Sequence, residues 1–133
     1  FILGEGEAAG ILPESLEKEK IVGQAQRERF QAAVNAGAKI AFGTDAGVYT
    51  HGLNARQFAL MVKWGMSPAE AIRAATLGNA ELFGLQDQIG SLKAGKRADI
   101  IAVDGDPLTD VRQLEDVDFV MKDGAVFYNG LSK

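Results

Sequence analysis

Ile40-Ala41-Phe42-Gly43-Thr44-Asp45-Ala46-Gly47 is the stretch that decides how this chain is read. An apolar run leads straight into an aspartate flanked by glycines. The spacing predicts a short strand over Lys39 to Phe42 with one carboxylate, Asp45, at its C-terminal tip. In α/β folds that tip is where chemistry is done. Working outward, the residues before it, Pro13 to Ala36, predict a long amphipathic helix. Pro13 suits a first helical position, and Glu14, Glu17 and Glu19 sit near the positive end of the helix dipole. Val22, Ala25, Phe30, Ala33 and Val34 fall near one face at 3.6-residue spacing. Gly37 suits the stop. Helix, tight turn, strand and loop is α/β grammar.

Downstream, Asn54 is expected to cap a helix that runs to Trp64 and is closed by Gly65. Its stripe is Ala55, Phe58, Ala59 and Val62. Ser67-Pro68-Ala69-Glu70 is a capping box: serine bonds the Glu70 amide, and the Glu70 carboxylate reaches back. That helix is expected to end near Ala75, with Thr76 capping one more short helix closed by Gly84. Beyond Gln86 the pattern changes to short strands, Ile100 to Val103, Val117 to Met121 and Ala125 to Tyr128. Asp104 to Pro107 reads as a turn, and Asp123-Gly124 as a hairpin turn.

The chain has 133 residues, 47% of them apolar and 24% charged, with 16 glycines and 3 prolines, within the range of one globular domain. A net charge of −4 gives no electrostatic case for nucleic acid, and no stretch is apolar over the roughly 20 residues a membrane span needs. With no cysteine, a disulfide scaffold and thiolate metal sites are excluded, which fits a reducing, cytoplasmic setting. Phe1 rather than methionine opens the sequence, so the N-terminus is expected to be internal to a longer product. The pieces do not close on themselves: several apolar-faced helices accompany one buried strand, and a strand alone makes no sheet. The economical reading places a larger sheet or barrel over them, encoded upstream or supplied by a separate chain.

Read from the residues, Asp45 has two meanings: a site carboxylate or an ordinary turn aspartate. His51, the one histidine, is either a substrate-facing group that hydrogen-bonds a carboxylate or a reacting carbonyl, or an exposed loop residue. A lone histidine cannot make a metal site. Tyr49 and Arg56 are further candidates for substrate contact. Arginine can fork onto a carboxylate, although Arg56 also opens a helix and can simply be solvated. Ser67 and Glu70 read as a cap rather than a catalytic pair. Gly95-Lys96-Arg97 lacks the spacing of a phosphate loop. Asp104, Asp106 and Asp110 lack the spacing and closing glutamate of a calcium loop.

Several motifs, in order, resemble the C-terminal third of the amidohydrolase superfamily. They are Phe42-Gly43-Thr44-Asp45-Ala46-Gly47, then Ser67-Pro68-Ala69-Glu70-Ala71-Ile72-Arg73-Ala74-Ala75-Thr76. Next come Gly90-Ser91-Leu92-Lys93-Ala94-Gly95-Lys96-Arg97-Ala98-Asp99-Ile100-Ile101-Ala102-Val103 and Asp106-Pro107. The loop Gly47-Val48-Tyr49-Thr50-His51-Gly52 looks like the imidazolonepropionase-related branch, which includes prolidase-like carboxypeptidases acting on dipeptides and N-acyl amino acids.

The resemblance implies an α/β fold, the last portion of a (β/α)₈ barrel with following helices over residues 1–88. Residues 89–133 would be the C-terminal strands of a small β-sandwich built from both chain ends. Lys39 to Phe42 would be the eighth barrel strand. Asp45 would match the aspartate that binds metal and shuttles a proton from attacking water to the leaving group, and one or two zinc ions are implied. His51, Tyr49 and Arg56 would face the substrate. The implied activity is hydrolysis of an amide bond in a small molecule, a dipeptide or an N-acyl amino acid. A cyclic amide, as in imidazolonepropionase, is the alternative within the class. A non-catalytic, partner-binding module is the alternative outside it. The family's other ligands, a His-x-His pair, a lysine or glutamate and two more histidines, map onto nothing here, so the remainder of the barrel is the expected partner. A homo-oligomer is also expected.

Overall fold

The structure, a computed structural model, describes residue 10, residues 12–47 and residues 51–131. Helix α1 spans Pro13–Asn35, with proline in its first turn as the sequence predicts. It ends where Gly37 takes φ 71°, a left-handed conformation that costs glycine nothing. Helix α2 spans Arg56–Lys63 and α3 spans Pro68–Arg73. The capping box is present in full: Glu70 N–H donates to Ser67 Oγ at 3.2 Å and Ser67 N–H donates to Glu70 Oε2 at 2.7 Å.

Past Arg73 the helix does not stop. It widens into a π-helical turn, Ala74–Gly78, and resumes as α4, Asn79–Leu82. Thr76 therefore caps nothing; its hydroxyl donates to the Ile72 carbonyl at 2.8 Å. Arg73 and Glu81 bridge the widened turn at 2.9 Å.

The core is small. Met61, Met66, Ala71 and Ala74 are buried, and Phe30, Val34, Ile40, Phe42, Phe58 and Val62 pack against them. So α1 contributes its C-terminal half, and α2 and α3 supply the centre. Trp64, beside the core, carries Arg27 of α1 at 5.6 Å and Lys63 at 5.7 Å from its ring. Farther up α1 the expected face is uncovered: Val22 is exposed, as is its neighbour Ile21.

Three antiparallel strands follow, in the order β1-β2-β3: β1 Ile100–Ala102, β2 Phe119–Lys122 and β3 Ala125–Asn129. Ile100 faces Met121, and Lys122 faces Ala125 across the hairpin. Asp123 and Gly124 both take positive φ, 51° and 80°, as a two-residue hairpin turn requires. Asp99 ties this turn down, accepting from Lys122 Nζ at 2.6 Å and from Asp123 N–H at 2.8 Å. The Lys122 bond, then the Asp123 amide, holds its carboxyl below the usual range. A 3₁₀ helix, Val111–Glu115, buries Val111 and Leu114 and packs on α2. The acidic residues ahead of it serve the backbone: Asp106 accepts from Leu108 N–H, and Asp110 pairs with Arg112. That pairing draws the Asp110 carboxyl down to about 2.

Residues 39–42 join no strand ladder among the described residues, where a barrel strand is expected. The reason is physical: a ladder needs a neighbour on at least one side, and none of the described strands lies beside this segment. Leu82, Phe83, Phe127 and Tyr128 are also largely exposed. Such apolar surface fits coverage by further chain. No helix of the described residues is long and apolar enough to cross a membrane.

Candidate active site

Among the described residues the segment that ends at Asp45 has no neighbour in a strand ladder, yet it is firmly held. Four elements grip it. From α4, the Asn79 side-chain amide pairs with Phe42 in both directions: Phe42 N–H donates to Asn79 Oδ1 at 3.1 Å, and Asn79 Nδ2 donates to the Phe42 carbonyl at 2.9 Å. This is how the peptide of a neighbouring strand would bond. Phe42 N–H also approaches the Ala74 carbonyl at 3.3 Å. Winding a helix at five rather than four residues shifts its carbonyls away from their α-helical partners, so the π turn suits an outside donor. From α2, the Phe58 ring stacks on Phe42 with centroids 4.5 Å apart. From the turn before α2, Asn54 Nδ2 donates to Thr44 Oγ1 at 3.2 Å. Asn54 thus braces the loop rather than capping a helix; the residue before α2 is Ala55, which makes no side-chain cap.

Gly78 makes the grip possible. A Cβ there would stand 3.1 Å from the Arg73 carbonyl oxygen and 3.6 Å from that of Ile40. The close approach is to the helix's own carbonyl, whereas the Ile40 oxygen lies at ordinary contact distance, so a methyl fills the space between helix and segment and a larger side chain would crowd it. Gly90 supports the same turn from below: a Cβ on it would meet Ala80 Cβ at 2.7 Å and Leu77 Cα at 3.0 Å.

Asp45 follows Thr44 directly and is exposed, with Thr44 itself half-buried. His51 and Gly52 are exposed at the far end of the same loop. Tyr49 lies outside the described residues. Arg56 is half-buried at the start of α2, with Nε 3.8 Å from Glu115 Oε2 of the 3₁₀ helix. The structure thus places Asp45 on an anchored stem and gives Arg56 a carboxylate neighbour. Sequence reasoning missed Asn79, Gly78 and the true role of Asn54. A signal existed for Asn79, because asparagine in a helix interior competes with the helical backbone and is disfavoured there without a tertiary partner.

Among the described residues no group of three or more histidines, cysteines or carboxylates could hold a metal ion. Structural and catalytic zinc sites use four or three protein donors respectively. Among the described residues, Asp45 offers one exposed carboxylate and no complete donor set for such an ion is present.

The sequence matches the amidohydrolase family over residues 5–127. The chain belongs to the amidohydrolase family. Ochratoxinase of Aspergillus niger is 34% identical to it over 131 residues, which are 96% of this chain and 27% of that protein. Imidazolonepropionase of Bdellovibrio bacteriovorus is 37% identical over 79 residues, 57% of this chain and 19% of that protein. Among solved structures, a Xaa-Pro dipeptidase with methionine bound in its active site is similar with a TM-score of 0.85 and 43% identity. That match covers 96% of this chain and 33% of the dipeptidase. This amidohydrolase chain therefore spans about a quarter of the length of the ochratoxinase it matches and a third of the dipeptidase.

Proposed function

We propose that the protein carrying this chain is a metal-dependent hydrolase of amide bonds in small molecules, with a dipeptide or N-acyl amino acid as substrate. The observation that carries the reading is the likeness, over 96% of the chain, to a Xaa-Pro dipeptidase at 43% identity. In this reading residues 1–88 complete a (β/α)₈ barrel and residues 89–133 join a small β-sandwich. The rest of the barrel, upstream or on a separate chain, supplies the remaining metal donors. Residues 39–42 take the eighth strand position, and the open side of that segment receives its neighbours.

When bound, a divalent metal, one or two zinc ions, would lower the pKa of the attacking water toward neutrality. Asp45 would help to hold that ion through its carboxylate. Its other work is proton transfer: it takes the proton from the attacking water and delivers it to the departing amide nitrogen. A short side chain on an anchored stem suits this work, because proton transfer needs heavy atoms held within hydrogen-bond reach, about 2.6–3.2 Å. His51 and Tyr49 stand in the loop that follows and are assigned to the substrate's carboxylate or carbonyl. Arg56 is assigned to a substrate carboxylate as well, with Glu115 orienting its guanidinium.

The test uses the whole protein. A panel of dipeptides, N-acyl amino acids and cyclic amides is assayed before and after chelation, with metal content measured alongside. We expect turnover of open-chain amides, lost on chelation and restored by zinc. Asp45→Asn should lower kcat on the order of 10³-fold, the scale of general acid–base catalysis, while circular dichroism is unchanged. Undiminished turnover in that variant refutes the role of Asp45. Exclusive turnover of cyclic amides would favour the imidazolonepropionase-like alternative, which the shorter match to that enzyme supports.

A further inference from the structure

We infer that Asn79 is a positioning residue for Asp45, acting through the backbone of Phe42; this rests on the proposed role of Asp45 as proton carrier. The geometry is specific. One side-chain amide satisfies both hydrogen-bonding groups of a single residue, at 3.1 and 2.9 Å, across 37 positions of sequence. The amide must donate with its nitrogen and accept with its oxygen, so only asparagine has the length and both functions at this place. The bonded peptide lies three residues before Asp45, and between them the Phe58 stack and the Asn54 bond to Thr44 leave little freedom. A displacement of the Phe42 peptide is therefore passed along the stem to the carboxylate instead of being absorbed.

The surrounding turn is shaped for this contact. The π winding of Ala74–Gly78 sets Asn79 at the start of α4, facing the segment, and offers the Ala74 carbonyl to the same amide. Gly78 lies against the same segment, where an added Cβ would stand 3.6 Å from the Ile40 carbonyl oxygen. The Arg73–Glu81 pair ties the helices on either side of the turn. Widened turns of this kind recur at functional sites. Here the widening brings a helix amide to the backbone of the stem that carries Asp45.

The test compares Asn79→Ala and Asn79→Asp, each alone and combined with Asp45→Asn, in the whole protein on the best substrate of the panel. Asn79→Asp keeps the shape and still accepts from Phe42 N–H, but it sets a carboxylate oxygen against the Phe42 carbonyl. It serves as the reading if the alanine variant fails to fold. Misplacing a catalytic group by about 1 Å costs on the order of 10²-fold in rate, so kcat should fall about 10- to 100-fold with KM within about twofold. In the Asp45→Asn background the same substitutions should leave the residual rate unchanged, because the group they position is gone. Hydrogen exchange at the Phe42 amide should accelerate in Asn79→Ala, which loses the acceptor, and less in Asn79→Asp, which keeps it. An unchanged kcat, or an equal loss with and without Asp45, overturns the positioning role and leaves the role of Asp45 intact. Full activity in Asp45→Asn alone, or no turnover of any panel member by the parent, removes the underlying reading and this inference with it.

Discussion

Replacing Gly90 with alanine tests how closely the bend at Gly90 is fitted to the π-helical turn beneath the site. Two separate costs are expected. Gly90 has φ 85°, where a Cβ crowds its own backbone; left-handed conformations cost non-glycine residues about 1–2 kcal/mol. The added Cβ would also lie 2.7 Å from Ala80 Cβ, 3.0 Å from Leu77 Cα and 3.0 Å from the Thr76 carbonyl oxygen. None of these atoms can turn aside by changing rotamer, since each is backbone or fixed to it. Overpacking of this kind costs about 1–3 kcal/mol. The sum is about 2–5 kcal/mol of destabilisation. Gly95 separates the two costs: its φ is 89°, and a Cβ there meets nothing within 4 Å. Gly95→Ala should therefore lose only the conformational part, about 1–2 kcal/mol. The assay is equilibrium urea unfolding of the whole protein, parent and both variants, with the midpoints compared at constant slope. If Gly90→Ala and Gly95→Ala fall within about 0.5 kcal/mol of each other, the close fit of Gly90 to the π turn is refuted, because differences of that size are usual at open surface positions.

The cap and the ion pair yield two further expectations. Ser67→Ala should cost about 1 kcal/mol, the usual worth of an N-cap side chain. Glu70 carries a pH signature: the Ser67 amide, then the Ser67 hydroxyl, holds its carboxyl below the ordinary 4.5. A carboxylate whose folded pKa is lowered stabilises above its unfolded value and ceases to as pH falls through the folded one. The gap between parent and Ser67→Ala should therefore narrow below pH 4.5, and a gap that widened there would contradict the reciprocal bonding. Arg56 and Glu115 are 3.8 Å apart and both partly exposed. A double-mutant cycle in urea should give a coupling below about 1 kcal/mol. If Arg56 meets a substrate carboxylate, Arg56→Ala should raise KM several-fold with little loss of stability; an unchanged KM removes it from the substrate site.

What the sequence disclosed follows the range of the forces involved. The capping box at Ser67 and the glycine stops at Gly37 and Gly65 are settled within a few residues, and they stand where local rules put them. The hairpin at Asp123-Gly124 is equally local, and its strands differ from expectation by only one or two residues at their ends. Asn54 and Thr76 show the opposite case. Each was expected to cap the helix beside it, and each spends its side chain elsewhere: Asn54 on Thr44 across 10 positions, Thr76 on the Ile72 carbonyl. Asparagine and threonine have several competing local uses, and the neighbouring sequence does not rank them. The bond from Asn79 to Phe42 spans 37 positions, beyond any local rule. Residues 39–42 have strand composition but no strand partner among the described residues, because a sheet is a property of neighbours as well as of sequence. Asp45 was legible as a candidate from its glycine-flanked setting; the stem that steadies it was not.

The indole of Trp64, the one tryptophan in this sequence, has optical use beyond its packing. It sits between a cation from a distant helix and one from its own, Arg27 at 5.6 Å and Lys63 at 5.7 Å. Indole emission responds to charge placed near the ring. If α1 swings away while α2 stays wound, Arg27 leaves and Lys63 remains, so the spectrum shifts partway. Unwinding of α2 removes the second cation and exposes the ring to water, and the shift is completed. In a protein whose tryptophans outside this sequence are replaced by phenylalanine, emission wavelength followed through a denaturation would thus distinguish undocking of the long helix from collapse of the core.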